Sequence, residues 1–197
     1  MLNILIIKDM MHPQLKSFFN RIVPFTDKEL DAIADKFTTK TLKKGELLLS
    51  EGEIAYEFGF IVKGIFRIYY LNDGKETTRY LGTENTLISS AQSFTTQKPS
   101  IEFVQALENS ELLMISYKDL QNIYNSSAKW ERMGRIFAEK SYNSLQSHIY
   151  SIISLPAIDR YHNFCEKYPD IVKRVPQYII ASFLGVSPET VSRIRKK

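Results

Sequence analysis

The chain has 197 residues, 44% of them hydrophobic and 24% charged, with a formal net charge of +4. That length and balance fit one or two globular domains with a real core and exclude a disordered or fibrous chain. The single cysteine, Cys165, excludes an intramolecular disulfide framework, and no apolar run approaches the roughly 18 residues of a membrane span. The apolar start Leu2–Ile7 is too short for a signal h-region and has no basic segment before it. The expected location is the cytoplasm, with no membrane partner.

In chain order, residues 12–35 read as helical. Leu15, Phe18, Phe19 and Ile22 form one stripe, and Thr26-Asp-Lys-Glu29 has the form of a capping box that starts a second short helix. From Thr38 to Ser116 the texture changes to short strands separated by turns. Ile65–Leu71 is rich in β-branched and aromatic residues, and Asn72-Asp-Gly74 is a hairpin signal returning through Glu76–Leu81. Further strands are expected at 103–107 and 111–115. Many short strands at this spacing predict an antiparallel barrel or roll.

After a short helix from Tyr117 to Tyr124, a long one is expected from Ala128 to Ile153. Ala138, Tyr142, Leu145, Ile149 and Ile152 follow one another at alternating spacings of four and three, which is a coiled-coil-like seam and predicts a homodimer interface. Pro156 marks the next boundary. A helix over 157–167 is expected to end at Pro169, with an extended link through Val175-Pro176.

The last stretch carries the strongest signal. Ile180, Phe183 and Leu184 are apolar at helical spacing, and Gly185 fits a helix end that needs positive φ. Ser187 fits an N-cap and Pro188 a first helical position. Small Ala181 lets two helices cross closely. This predicts a helix-turn-helix. On its second helix Val191 and Ile194 point inward, while Glu189, Ser192, Arg193 and Lys196 point outward. That outward set holds an acceptor for a cytosine amino group and a fork donor for guanine. From Asp159 to the end there are eight Lys or Arg against four Asp or Glu, an excess equal to that of the whole chain. The basic excess therefore sits with the helix-turn-helix, and double-stranded DNA is the expected partner. Glu189, Ser192 and Arg193 are the candidates for base contacts, and Lys173, Arg174, Ser187, Lys196 and Lys197 for phosphate contacts.

Roll, long helix, short helix and C-terminal helix-turn-helix, in that order, resemble the Crp/Fnr superfamily of bacterial transcription regulators. The most specific pieces are Phe60-Ile-Val-Lys-Gly64 with Asn72-Asp-Gly-Lys75, and Leu184–Arg193. The resemblance implies an α+β architecture. A cyclic-nucleotide-binding-like roll would occupy 1–125, a dimerisation helix 126–153 and a DNA-binding domain 154–197. In the family the positions matching Glu189 and Arg193 read bases, and the one matching Ser192 assists in the Fnr-like branch. Pro188 stands where the cyclic-AMP-dependent branch usually has a base-contacting Arg. RNA polymerase and a small-molecule effector are further partners to expect. The wing that often follows the second helix in relatives is expected to be missing or removed after Arg195-Lys-Lys197.

The effector region departs from the family pattern. Cyclic-AMP binders carry a Gly-Glu and then an Arg-Ser pair, whereas Ser89 and Ser90 occupy the first pair here and Ser100 and Ile101 the second. No Arg lies between Thr83 and Val104, and Lys98 supplies a charge without a fork. Ser89, Ser90, Lys98 and Ser100 remain the pocket candidates, with cyclic AMP not expected to bind. One cysteine cannot hold an iron–sulfur cluster, and His12, His148 and His162 are scattered outside the roll's pocket region, so no cofactor is expected. Residues 38–116 contain no His, which argues against a cupin-type metal enzyme, and no P-loop, Gly-x-Ser-x-Gly or Cys-x-x-Cys pattern appears. The competing reading is a ligand-sensing regulatory module without DNA binding.

Overall fold

Local chemistry accounts for most element ends. In the computed structural model, which describes residues 10–196, Thr26 caps helix α2 (Asp27–Asp31), with the reciprocal Glu29 contact of a capping box. Leu2–Ile7 and the phosphate candidate Lys197 lie outside the described residues. Helix α1 (Pro13–Asn20) precedes α2, and its Leu15, Phe18 and Phe19 are buried.

Eight strands follow: β1 (Thr38–Leu42), β2 (Leu47–Leu49), β3 (Glu57–Lys63), β4 (Phe66–Asn72), β5 (Lys75–Gly82), β6 (Leu87–Ile88), β7 (Phe103–Ala106) and β8 (Ser110–Ser116). They form two antiparallel four-stranded sheets, ordered β1-β8-β3-β6 and β2-β7-β4-β5. The β4–β5 hairpin turns at Asp73 and Gly74, both at positive φ, as a tight primed turn requires. Ile61, Phe66, Ile68, Ile88, Val104 and Leu112 fill the space between the sheets. Helix α3 (Ala91–Thr96), not foreseen in the sequence, sits between β6 and β7 and ends at Gln97 in the left-handed region.

Helix α4 (Tyr117–Ser126) leads into α5 (Ala128–Ser154), a 27-residue helix about 40 Å long. Its first turns join the α1 core, where Trp130 stacks on Phe25 at 4.0 Å between ring centroids. Beyond Phe137 most of the helix is exposed, apart from His148 and Ser151.

Helices α6 (Ala157–Lys167), α7 (Pro169–Arg174), α8 (Gln177–Phe183) and α9 (Pro188–Arg195) complete the described chain. Helix α7 occupies most of the stretch after Pro169, and the expected extended link is confined to Val175 and Pro176. Proline sits at its first helical position, with Asp170 in the first turn and Lys173 and Arg174 in the last. A residue that stops one helix thus starts the next, because its missing N–H is not needed there. The third core joins Tyr161, Phe164, Ile171, Ile179, Ile180 and Val191 to Ile65 and Leu81 of the roll.

Candidate DNA-reading face and roll pocket

Helices α8 and α9 and the glycine turn between them lie where the sequence places them. Ala181 is fully buried where α8 meets α9, Gly185 turns the chain at φ +64°, and Ser187 caps α9 by accepting from the Thr190 N–H at 3.2 Å. Val191 is fully buried, and Ile194 packs against the same core. Glu189, Ser192, Arg193 and Lys196 are all exposed. Arg193 Nη2 donates to Thr190 Oγ1 at 3.3 Å, one turn back. The Glu189 carboxyl is held below its usual value by its own backbone N–H, by Ser187 and by the Arg193 charge, so it is an ionised acceptor at neutral pH. Ser187 is exposed, but its oxygen serves the cap first.

Of the other phosphate candidates, Lys173 is exposed and makes no ion pair among the described residues. Arg174 is placed differently. Its guanidinium meets Glu84 at 2.7 and 2.9 Å and also pairs with Glu108, both carboxylates belonging to the roll. Helix α8 lies along β5, the edge strand, where Ser182 Oγ accepts from the Thr78 N–H at 2.9 Å. A helix hydroxyl therefore satisfies an edge amide that would otherwise invite another strand.

The predicted dimer seam is presented to solvent. Tyr142 is 60% exposed and Leu145 47%, with Ala138, Ile149 and Ile152 also exposed. An open, largely apolar groove of about 1470 Å³ runs beside it, from Arg79, Ser89 and Phe94 at the roll to Tyr142 and Phe183. His148 stacks on Phe183 at 4.3 Å between centroids, a packing role, and burial lowers its pKa.

In the roll, three of the four pocket candidates are buried and satisfied within the wall. Ser89 Oγ donates to the Glu57 carbonyl at 3.0 Å, Ser90 Oγ to Glu102 Oε2 at 2.8 Å, and Ser100 Oγ to the Glu102 carbonyl at 2.9 Å. Lys98 is exposed and meets none of them. The sequence reading missed the two residues that organise this wall. Arg79 forks onto the Glu102 carboxylate, with Nη2 to Oε2 at 2.9 Å and Nε to Oε1. Arg79 comes from β5, before the 83–104 stretch that lacks an arginine. In the β4–β5 register Ile68 faces Tyr80 and Tyr69 faces Thr78, so Arg79 is the extra residue of a bulge. The bulge re-aims its side chain. Among the described residues no group of His, Cys, Asp and Glu could hold a metal ion, and no helix is long and apolar enough to cross a membrane.

Comparison with known proteins fits this arrangement. Residues 39–127 match the cyclic nucleotide-binding domain family. The chain is similar to FixK2 from Bradyrhizobium japonicum, at 17% identity and TM-score 0.69, covering 81% of this chain and 83% of that one. The chain has the Crp/Fnr fold. The same fold relates it to the c-di-GMP responsive global regulator CLP of Xanthomonas campestris, at 15% identity and TM-score 0.68, covering 87% and 90%. The catabolite activator protein of Thermus thermophilus matches at 16% identity and TM-score 0.58, covering 91% and 85%. No curated protein matches the chain. Within the Crp/Fnr fold, the roll, the long helix and the C-terminal helices follow one another in the order the sequence implied.

Proposed function

We propose that this chain is a sequence-specific DNA-binding transcription regulator without enzymatic activity, acting as a homodimer on an inverted-repeat site. Residues 1–125 are the sensor roll, 126–153 the dimerisation helix and 154–197 the DNA-reading part. The observation that carries the reading is α9. Its apolar side is sealed by Val191, while Glu189, Ser192, Arg193 and Lys196 are displayed together on the outer side. A helix of this kind enters a major groove, and a two-fold mate reads the other half-site about one helical turn away.

The bare stripe from Ala138 to Ile152 supports the dimer. Exposed aromatic and branched side chains at seam spacing bury apolar surface only against a partner helix. RNA polymerase is a further partner for such a regulator if it activates transcription. The roll's serines spend their hydroxyls on neighbouring chain atoms, which supports a pocket that does not take cyclic AMP. The test is selection of bound sequences from random DNA at fixed, moderate salt, without added nucleotide. A palindromic motif with a G·C pair in each half is expected. Binding with no selected motif would refute the proposal.

A further inference from the structure

The Glu102 side chain lies just before β7 and is only 6% exposed. Arg79 approaches it as a two-pronged donor, and Ser90 adds a hydroxyl at 2.8 Å. The Tyr70 phenol stands near the same carboxylate and favours its charged form. These groups come from β5, the residue preceding α3, and β4. Burial opposes the charge on Glu102, but Arg79, Ser90 and Tyr70 outweigh it and hold the pKa below its usual value. The carboxylate is therefore a bound anion at neutral pH, one that the chain itself supplies.

An arginine fork with converging hydroxyls is also the donor set that recognises a phosphate. Here it is not on an outer surface. Arg79 and Ser89 line the roll end of the open apolar groove, and the Arg79 side chain keeps 30% of its surface exposed. Space for the body of a ligand thus adjoins a donor set whose place is already taken. We propose that Arg79 and Ser90 form an anion-binding site in the roll, specific for a phosphate group, which the chain fills with its own Glu102 carboxylate. The roll then keeps its filled geometry with no small molecule bound, and an external phosphate gains the site only when Glu102 is absent. This rests on the roll being the sensor part, and it stands whether or not α9 reads DNA.

The experiment compares the whole chain with Glu102→Ala and with Glu102→Ala/Arg79→Met. The probes are inorganic phosphate and cyclic AMP, followed by calorimetry and by the thermal midpoint in phosphate against chloride at equal ionic strength. For wild type, neither probe should bind saturably, and the midpoint should differ between the two salts only by the general stabilising effect of phosphate, the same difference that the double variant shows. For Glu102→Ala, phosphate should bind and raise the midpoint by several degrees beyond that difference. Cyclic AMP should bind there only if it also reaches the groove, and it should then compete with phosphate. The double variant should lose both effects. If Glu102→Ala unfolds, refolding by phosphate and not by chloride counts as binding. The proposal is overturned by a folded Glu102→Ala that ignores phosphate, by an unfolded one that phosphate does not rescue, by wild type binding as well as the variant, or by binding that survives loss of Arg79. DNA selection with wild type is a separate readout, so failure of the regulator reading leaves this result interpretable.

Discussion

Arg174 of α7 grips Glu84 of the roll through both guanidinium ends, at 2.7 and 2.9 Å, across 90 residues of sequence. Glu84 in turn accepts from the Gly64 N–H at 2.8 Å. Gly64 has φ +112°, and a Cβ there would lie 2.0 Å from the Ser110 hydroxyl. Only glycine brings that amide to the carboxylate. The ion pair is therefore built on a backbone that no other residue reproduces, and it fastens the C-terminal helices to the roll.

Arg174→Ala should lower stability by on the order of 1–3 kcal/mol, because two partly buried carboxylates lose their shared cation. Glu84→Gln should cost less, since Glu108 remains paired. Thermal melts of both single variants and the double variant, read as a cycle, would measure the coupling. A coupling near zero would mean that the contact does not hold the two parts together. In a DNA-binding assay, Glu84→Gln/Glu108→Gln should steepen the salt dependence if the freed Arg174 reaches a phosphate.

The same contact sets an acid limit. Burial works against the Glu84 charge, but Arg174 and the Gly64 amide overcome it and depress the pKa to about 2. A carboxyl whose pKa is depressed on folding contributes stability above its unfolded value. That contribution is lost as pH falls from roughly 4.5 toward 2. Wild type should therefore lose stability faster than Glu84→Gln across this window. Parallel acid denaturation curves would count against it.

The seam on α5 is tested by charge. Leu145→Glu/Ile149→Glu should give monomers in sedimentation, because each glutamate would face its own copy across a two-fold axis. The thermal midpoint of the roll should hardly change, since both side chains are exposed in the single chain. A double variant that stays dimeric would place the interface elsewhere.

Base reading separates two kinds of contact. Arg193→Ala should cost on the order of 1–3 kcal/mol per half-site and relax the choice at one guanine. Lys196→Ala should weaken every sequence alike and flatten the salt slope. Selection from random DNA with each variant distinguishes them. An unchanged motif for Arg193→Ala, with uniformly lower affinity, would make Arg193 a phosphate contact.

What the sequence revealed was local. Ala181, Gly185, Ser187 and Pro188 each state a requirement within a few residues of chain, and together they placed α8 and α9 correctly. Asn72-Asp-Gly74 did the same for the hairpin. What it hid was pairing at a distance. Arg79 faces Glu102 because a bulge shifts the register of two paired strands, and no single strand shows a bulge. Arg174 looked like a free basic residue because Glu84 and Glu108 lie 90 and 66 residues away. Pro169 was ambiguous for another reason, since the residue that excludes a helix interior also opens one.

Ile65 and Leu81 belong to the roll by sequence, yet they complete the core beneath α8 and α9, and Ser182 covers the β5 edge. A chimaera that exchanged residues 155–197 for those of a relative would leave these apolar side chains against a foreign surface and the Thr78 amide uncovered. Recombination at this joint, in a genome or in the laboratory, succeeds only when the matching face of the roll travels with it. On the proposed reading, new DNA specificities should therefore arise by substitution along α9 rather than by exchange of the whole C-terminal part.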